Sequence, residues 1–197
     1  LPWLSGFLSE GIAWVVIFVF GGFLSIYHLG SQSMWLDEAC AVSRAYRNLH
    51  SLLTGQIQES SPPLYDILLR YWIKFLGKGE FQVRLLSAVF GIALIPLVYI
   101  FGNTIFNRKV GLYASFLIAI SPFHIYYSQD TKMYALLSLL TLTSFLSLYL
   151  VLRKNIFILW VGYTLSTILC IYTHNYGIFV LLGEICFFFF VYKIYRK

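Results

Sequence analysis

The chain has 197 residues, 59% of them hydrophobic and only 11% charged, with a formal net charge of +6. So little polar surface cannot cover a soluble globule, which excludes a soluble enzyme. The excess positive charge sits at the ends of apolar runs and calls for no nucleic-acid partner.

Apolar runs of about 18–20 residues, the length that crosses roughly 30 Å of hydrocarbon, recur along the chain. They predict an all-α, polytopic transmembrane bundle of about six spans, running roughly 11–29, 85–106, 110–127, 133–152, 156–173 and 176–194. The first run lacks the basic flank and cleavage signal of a secretory peptide and reads as a retained helix. The chain opens on Leu1 and not on Met, so a processed or incomplete product is expected.

Between the first two spans lies a long loop, roughly residues 30–84. Apolar residues recur from Trp35 to Leu53 at helical spacing, with Arg44, Arg47 and Asn48 on the other side. After Ser60-Ser61-Pro62-Pro63 a second stripe runs through Leu64, Leu68, Tyr71, Trp72 and Phe75. Both segments are too short and too amphipathic to span, and predict two interfacial helices. The basic clusters Arg108-Lys109, Arg153-Lys154 and Lys193 to Lys197 close alternate span ends. By the positive-inside rule that side is cytoplasmic. Asp37, Glu38, Asp130 and His174 then share the extracytoplasmic side.

Of eight acidic residues, Asp37 and Glu38 stand side by side where the chain leaves the first span, and Asp130 lies at another span end. Ionised groups near hydrocarbon are costly, roughly 2.5–3.5 kcal/mol each at a helix centre, so converging carboxylates point to a site. The structural alternatives are an N-cap for Asp37, a favourable first-turn charge for Glu38 and a cap for Asp130. Arg84 has an i,i+4 partner in Glu80 as its structural alternative. Glu184 lies deep in the last predicted span with no cation at matching depth in the sequence. A protonated carboxyl, a partner in another subunit and a partner in a missing segment all stay open. Cys170 and Cys186 fall inside spans and Cys40 reads as a small apolar filler, so neither a disulfide framework nor a zinc site is expected.

The ordered set Trp35-Leu36-Asp37-Glu38-Ala39, Ser61-Pro62-Pro63-Leu64-Tyr65, Glu80 to Ala88, Ser121 to Asp130 and Tyr172-Thr173-His174-Asn175-Tyr176-Gly177 resembles the N-terminal half of the GT-C glycosyltransferases. The likeness is to protein O-mannosyltransferases and lipid A aminoarabinose transferases, in their prokaryotic branch, over about residues 11 to 190. It implies one module over 1–197, the N-terminal part of a longer architecture. It also implies a polyprenyl-phosphate-sugar donor, and a lipid, glycan or protein acceptor glycosylated on the extracytoplasmic side of the plasma membrane. Asp37 matches the catalytic acidic position and is assigned as general base, with Glu38 orienting it or binding sugar hydroxyls. Asp130 is assigned to acceptor positioning or, with Asp37, to a divalent metal, which the resemblance leaves possible. Arg84, Lys132 and His174 are assigned to the donor phosphate, Lys132 standing where the family pattern often has Arg. Tyr127, Tyr134 and Tyr176 are substrate-groove candidates. The alternative from another class is a small proton-coupled transporter or a non-catalytic lipid-binding scaffold. A transporter would carry polar residues at the bilayer midplane and paired interrupted helices. No internal repeat is found, and the polar residues gather at one rim, which favours the transferase.

Overall fold

The computed structural model describes residues 2–53 and 61–195, with side chains over 10–52 and 61–190. Among the described residues ten helices follow in order: α1 (Pro2–Ile26), α2 (Leu36–Ala45), α3 (Leu49–Leu53), α4 (Leu64–Leu76), α5 (Glu80–Ile105), α6 (Arg108–Ala119), α7 (Pro122–Ser128), α8 (Tyr134–Lys154), α9 (Phe157–Thr173) and α10 (Gly177–Tyr195). Among the described residues there is no strand, and the fold is the expected helical membrane bundle. By length and composition α5 and α8 can cross a membrane, and α6 with α7 makes a third crossing if the bent pair counts as one. Glu10–Ile26, Phe157–Thr173 and Gly177–Phe190 are apolar helices of 10–17 residues. Against the about six spans expected from the sequence, two or three segments among the described residues have the length and apolar content of a crossing.

Two predicted helices are broken. The run 110–127 bends by 62° between α6 and α7. Pro122 occupies the first turn of α7, and the Ser121 hydroxyl accepts from the His124 backbone N–H. That pair starts a new helix where hydropathy reads one continuous segment. The stripe 35–53 is likewise divided into α2 and α3 around Tyr46-Arg47-Asn48.

α5 packs against α6 and α8, α9 against α8, α10 against α9 and α8, and α1 against α5 and α6. Clearance between α5 and α7 is minimal: a Cβ on Gly91 would fall 2.7 Å from the Ser128 Cβ. The platform helices α2 and α4 rest on this bundle through a buried cluster of Ala41, Ala45, Tyr65, Leu69, Ile73, Val83, Leu86, Met133 and Leu136. The Trp72 indole N–H donates to the Gln82 carbonyl (2.8 Å) and ties α4 to α5. The platform is thereby fixed to one end of the bundle.

Glu184 is fully buried between α8, α9 and α10. Its carboxyl accepts from Ser144 Oγ, from Thr167 Oγ1 (3.5 Å) and from the Tyr163 side chain. Hydroxyl partners within the chain thus serve the carboxyl where the sequence offers no cation. A buried carboxyl held by three hydroxyls is satisfied in place.

Candidate functional site at the platform rim

α2 is preceded by Trp35, whose extended backbone leads into the first turn. Acids suit that turn because four backbone N–H groups there lack helical partners and the helix dipole is positive. Asp37 and Glu38 occupy it, so Asp37 is inside the helix and is not its N-cap. Successive helical residues diverge by about 100° around the axis, and the two carboxylates separate accordingly. Glu38 turns inward and is 1% exposed, whereas the Asp37 side chain is 73% exposed.

Glu38 is met by Arg84 from the second turn of α5. Arg84 Nε donates to Glu38 Oε1 (2.8 Å) and Nη2 to Oε2 (2.6 Å), the bidentate fork that guanidinium geometry favours. Arg84 Nη1 donates to the carbonyls of Leu29 (3.0 Å) and Gln32 (2.8 Å), and Nη2 to that of Ser33 (3.2 Å). All five guanidinium N–H groups are thus engaged. The partner expected for Arg84 as a structural residue was Glu80; the geometry supplies Glu38 instead.

Thr131 closes the clamp from the turn between α7 and α8. Its backbone N–H (3.0 Å) and Oγ1 (3.1 Å) both donate to Glu38 Oε1, and the Trp35 N–H reaches Oε2 (3.3 Å). Burial raises the Glu38 pKa, but the hydrogen bonds from Arg84 and Thr131 and the Arg84 charge outweigh this and hold it below the usual Glu value. With five donors on two oxygens, Glu38 has no lone pair in place for a sugar hydroxyl.

The same turn presents Lys132 to the outside. Lys132 Nζ lies 3.0 Å from Asp37 Oδ2, and the Lys132 carbonyl accepts from Ser87 Oγ (3.1 Å), which is in turn 2.7 Å from the buried Tyr65 hydroxyl. Gln129 Nε2 donates to the carbonyls of Leu24 (2.9 Å) and Tyr27 (3.0 Å), fastening the turn to the end of α1. Asp130, between them, is half-buried and borders a small cavity of about 130 Å³ with His28, Gln32, Trp35 and Tyr126. Among the described residues its carboxylate accepts no hydrogen bond. Burial, then repulsion from Glu38 and Asp37, raises its pKa to about 6 against the pull of Lys132 and Arg84.

A chain of rings leads away from this turn. Tyr127 contacts Tyr126 (5.2 Å between centroids) and Tyr134 (4.8 Å), Tyr134 lies 6.0 Å from His174, and His174 lies 4.5 Å from Tyr176. The Tyr176 N–H donates to His174 Nδ1 (3.0 Å), so the neutral imidazole carries its proton on Nε2. Partial burial lowers the His174 pKa and favours that neutral form. The aromatic candidates Tyr127, Tyr134 and Tyr176 are therefore brought together with His174.

Among the described residues no three His, Cys, Asp or Glu side chains converge to hold a metal. Of the two acids assigned to a possible metal, Asp37 has one oxygen paired with the Lys132 ammonium (3.0 Å). Sequence reading missed Thr131, Gln129 and Ser87. A lone hydroxyl or amide in a turn carries no signal in one sequence, because its partners stand 93 to 105 positions away for Thr131 and Gln129.

No curated protein and no solved structure matches this chain. A family model described as dolichyl-phosphate-mannose-protein mannosyltransferase matches residues 60–197. The match takes in Arg84, Asp130, Lys132 and His174 and begins past Asp37 and Glu38. An all-helical membrane bundle matched over most of its length in this way belongs to the dolichyl-phosphate-mannose-protein mannosyltransferase family, a family of membrane glycosyltransferases.

Proposed function

We propose that the chain transfers a sugar from a polyprenyl-phosphate donor to an acceptor hydroxyl at the extracytoplasmic face, with Asp37 as general base. The observation that carries this reading is the division of labour in the acidic pair. Glu38 is locked by Arg84 and Thr131, and that lock presents the accessible Asp37 carboxylate beside the Lys132 ammonium. Asp37 takes the proton of the acceptor hydroxyl as the acceptor oxygen bonds to the anomeric carbon and the bond to the donor phosphate breaks. The departing phosphate keeps the electron pair, and Lys132 balances its charge as a point cation. His174 contributes its Nε2 proton as a hydrogen bond to the same group. Arg84, with every N–H engaged, is reassigned from phosphate binding to positioning. Tyr127, Tyr134 and Tyr176 line the path on which the sugar or the lipid head lies, since ring faces suit both. No step runs through a metal.

Asp130 is proposed to receive a hydroxyl of the acceptor or the sugar in the small cavity it borders. Its raised pKa predicts two effects. The folded state holds a proton there more tightly than the unfolded chain, so the stability contribution is fully present below the ordinary Asp value of 3.8 and is lost as pH rises through about 6. Asp130→Asn, which mimics the protonated form, is therefore expected to stabilise the protein above pH 7, by at most about 1–2 kcal/mol after solvent screening. Below pH 4 it should leave stability unchanged. Its transfer activity should nonetheless fall, by about tenfold or more for a lost charge-assisted hydrogen bond. Thermal unfolding across pH, run beside a transfer assay, checks both signs.

The test of the whole reading is sugar transfer in membranes containing this chain, with a panel of polyprenyl-phosphate sugars, endogenous acceptors and mass-spectrometric detection of products. Transfer by the wild-type chain supports it. A correctly inserted chain that transfers none of the panel counts against it.

A further inference from the structure

A second cavity, of about 530 Å³, lies in the platform and away from Asp37. Its walls come from the end of α2 and the start of α3 (Ala45, Tyr46, Leu49) and from α4 (Arg70, Tyr71, Ile73, Lys74). No acid lines it. Arg70 and Lys74 stand at i and i+4 of one helix, where like charges repel. The natural local partner, Asp66 one turn before Arg70, is taken by Arg44 (Nε to Oδ2, 3.0 Å). Arg70 Nη1 donates to the carbonyls of Ala45 and Arg47 and so braces the end of α2. Among the described residues its Nε and Nη2 donate to no protein atom, and the Lys74 ammonium has no acceptor. Tyr46 and Tyr71 flank the cations with rings about half exposed. Amphipathic rings of this kind are favoured in the headgroup layer of a bilayer.

We propose that this cavity binds a phosphate ester, held by Arg70 and Lys74 between the two tyrosines. The guanidinium edge not used for bracing and the neighbouring ammonium supply charge and donors for phosphate oxygens, and an anion between them removes their mutual repulsion. A position of Lys74 near the end of α4 also suits the helix dipole; that effect does not account for a second cation, Arg70, on the same wall with no acid beside it among the described residues. The chemistry is shared by an anionic lipid headgroup and by free phosphate. The binding is independent of sugar transfer.

The experiment uses the full chain purified in detergent and reads lipid retention by native mass spectrometry. Phosphatidylglycerol is the anionic probe, phosphatidylcholine the zwitterionic control and inorganic phosphate the competitor. Lys74→Gln is expected to weaken phosphatidylglycerol retention about fivefold, the scale for one basic residue facing an anionic headgroup, and to leave phosphatidylcholine unchanged. Lys74→Glu should weaken it further. Arg70→Lys, which keeps the charge but loses the fork, should fall between wild type and Lys74→Glu. Phosphatidylglycerol retained against millimolar phosphate identifies the lipid headgroup as the source. Displacement by phosphate in the wild type, with weak phosphate binding in Lys74→Glu, assigns the same site to the free anion. Equal phosphatidylglycerol retention by wild type, Lys74→Gln and Lys74→Glu overturns the proposal.

Discussion

Asp37→Asn is expected to lower sugar transfer by about 10²–10⁴-fold, the range that a positioned general base contributes. Through the transition-state relation this is roughly 3–5 kcal/mol of barrier. The fold should hardly notice. Asp37 is largely exposed, and its pair with Lys132 is a rim contact of the kind worth about 0–1 kcal/mol. Asparagine keeps an oxygen that can accept from Lys132, so the substitution removes the basic lone pair while leaving the shape of the site. The measurement is initial transfer rate at saturating donor, with unfolding temperature recorded on the same preparation. A loss of rate with unchanged unfolding assigns Asp37 to chemistry. An unchanged rate removes it from the mechanism and leaves Asp130 as the carboxylate to test next.

The opposite pattern is expected one residue along. Glu38→Gln leaves the Arg84 guanidinium buried without its counter-charge, and breaking such a pair costs about 3–5 kcal/mol. Arg84→Met strands the Glu38 carboxylate and should cost a similar amount. The two substitutions together should cost less than their sum, because each alone leaves an uncompensated charge. Thr131→Val, which deletes one hydroxyl donor at nearly constant volume, is a gentler probe at about 1 kcal/mol. The pH dependence has a defined sign: the depressed Glu38 pKa contributes stability above the ordinary Glu value of 4.5, which is lost as pH falls below it. Asp130, a few residues from the same clamp in space, has the reverse dependence. Unfolding of the wild-type protein and of Glu38→Gln between pH 3 and 8 separates the two groups. A Glu38→Gln variant as stable as wild type at pH 7 would sink the clamp.

Hydropathy made α5 and α8 legible because a membrane segment is set by length and apolar content alone. It passed over the break at Ser121-Pro122, because a hydropathy window averages across a two-residue interruption, whereas the Ser121 cap and Pro122 in the first turn start a new helix there. The rim was legible as a set of chemistries, and the positions Asp37, Glu38, Arg84, Asp130 and Lys132 do gather there. Their roles were not, because partner choice depends on the direction in which each side chain leaves its helix. Arg84 was read as a phosphate ligand, yet its five N–H groups are taken by Glu38 and three carbonyls. Glu184 lacked a partner only as long as the search was for a cation; the answer was a set of hydroxyls, which a sequence full of serine and threonine does not single out.

The clamp also dates its own completion. Arg84 follows Glu38 by 46 positions and Thr131 follows it by 93. At a synthesis rate of about 5–20 residues per second, Arg84 is made roughly 2–10 s after Glu38, and Thr131 roughly 5–19 s after it. Until Arg84 arrives, the Glu38 carboxylate has no buried counter-charge and must stay in water, so α2 cannot settle in its final place against α5. Glu38 therefore leaves the ribosome well before either of the residues that lock it in place.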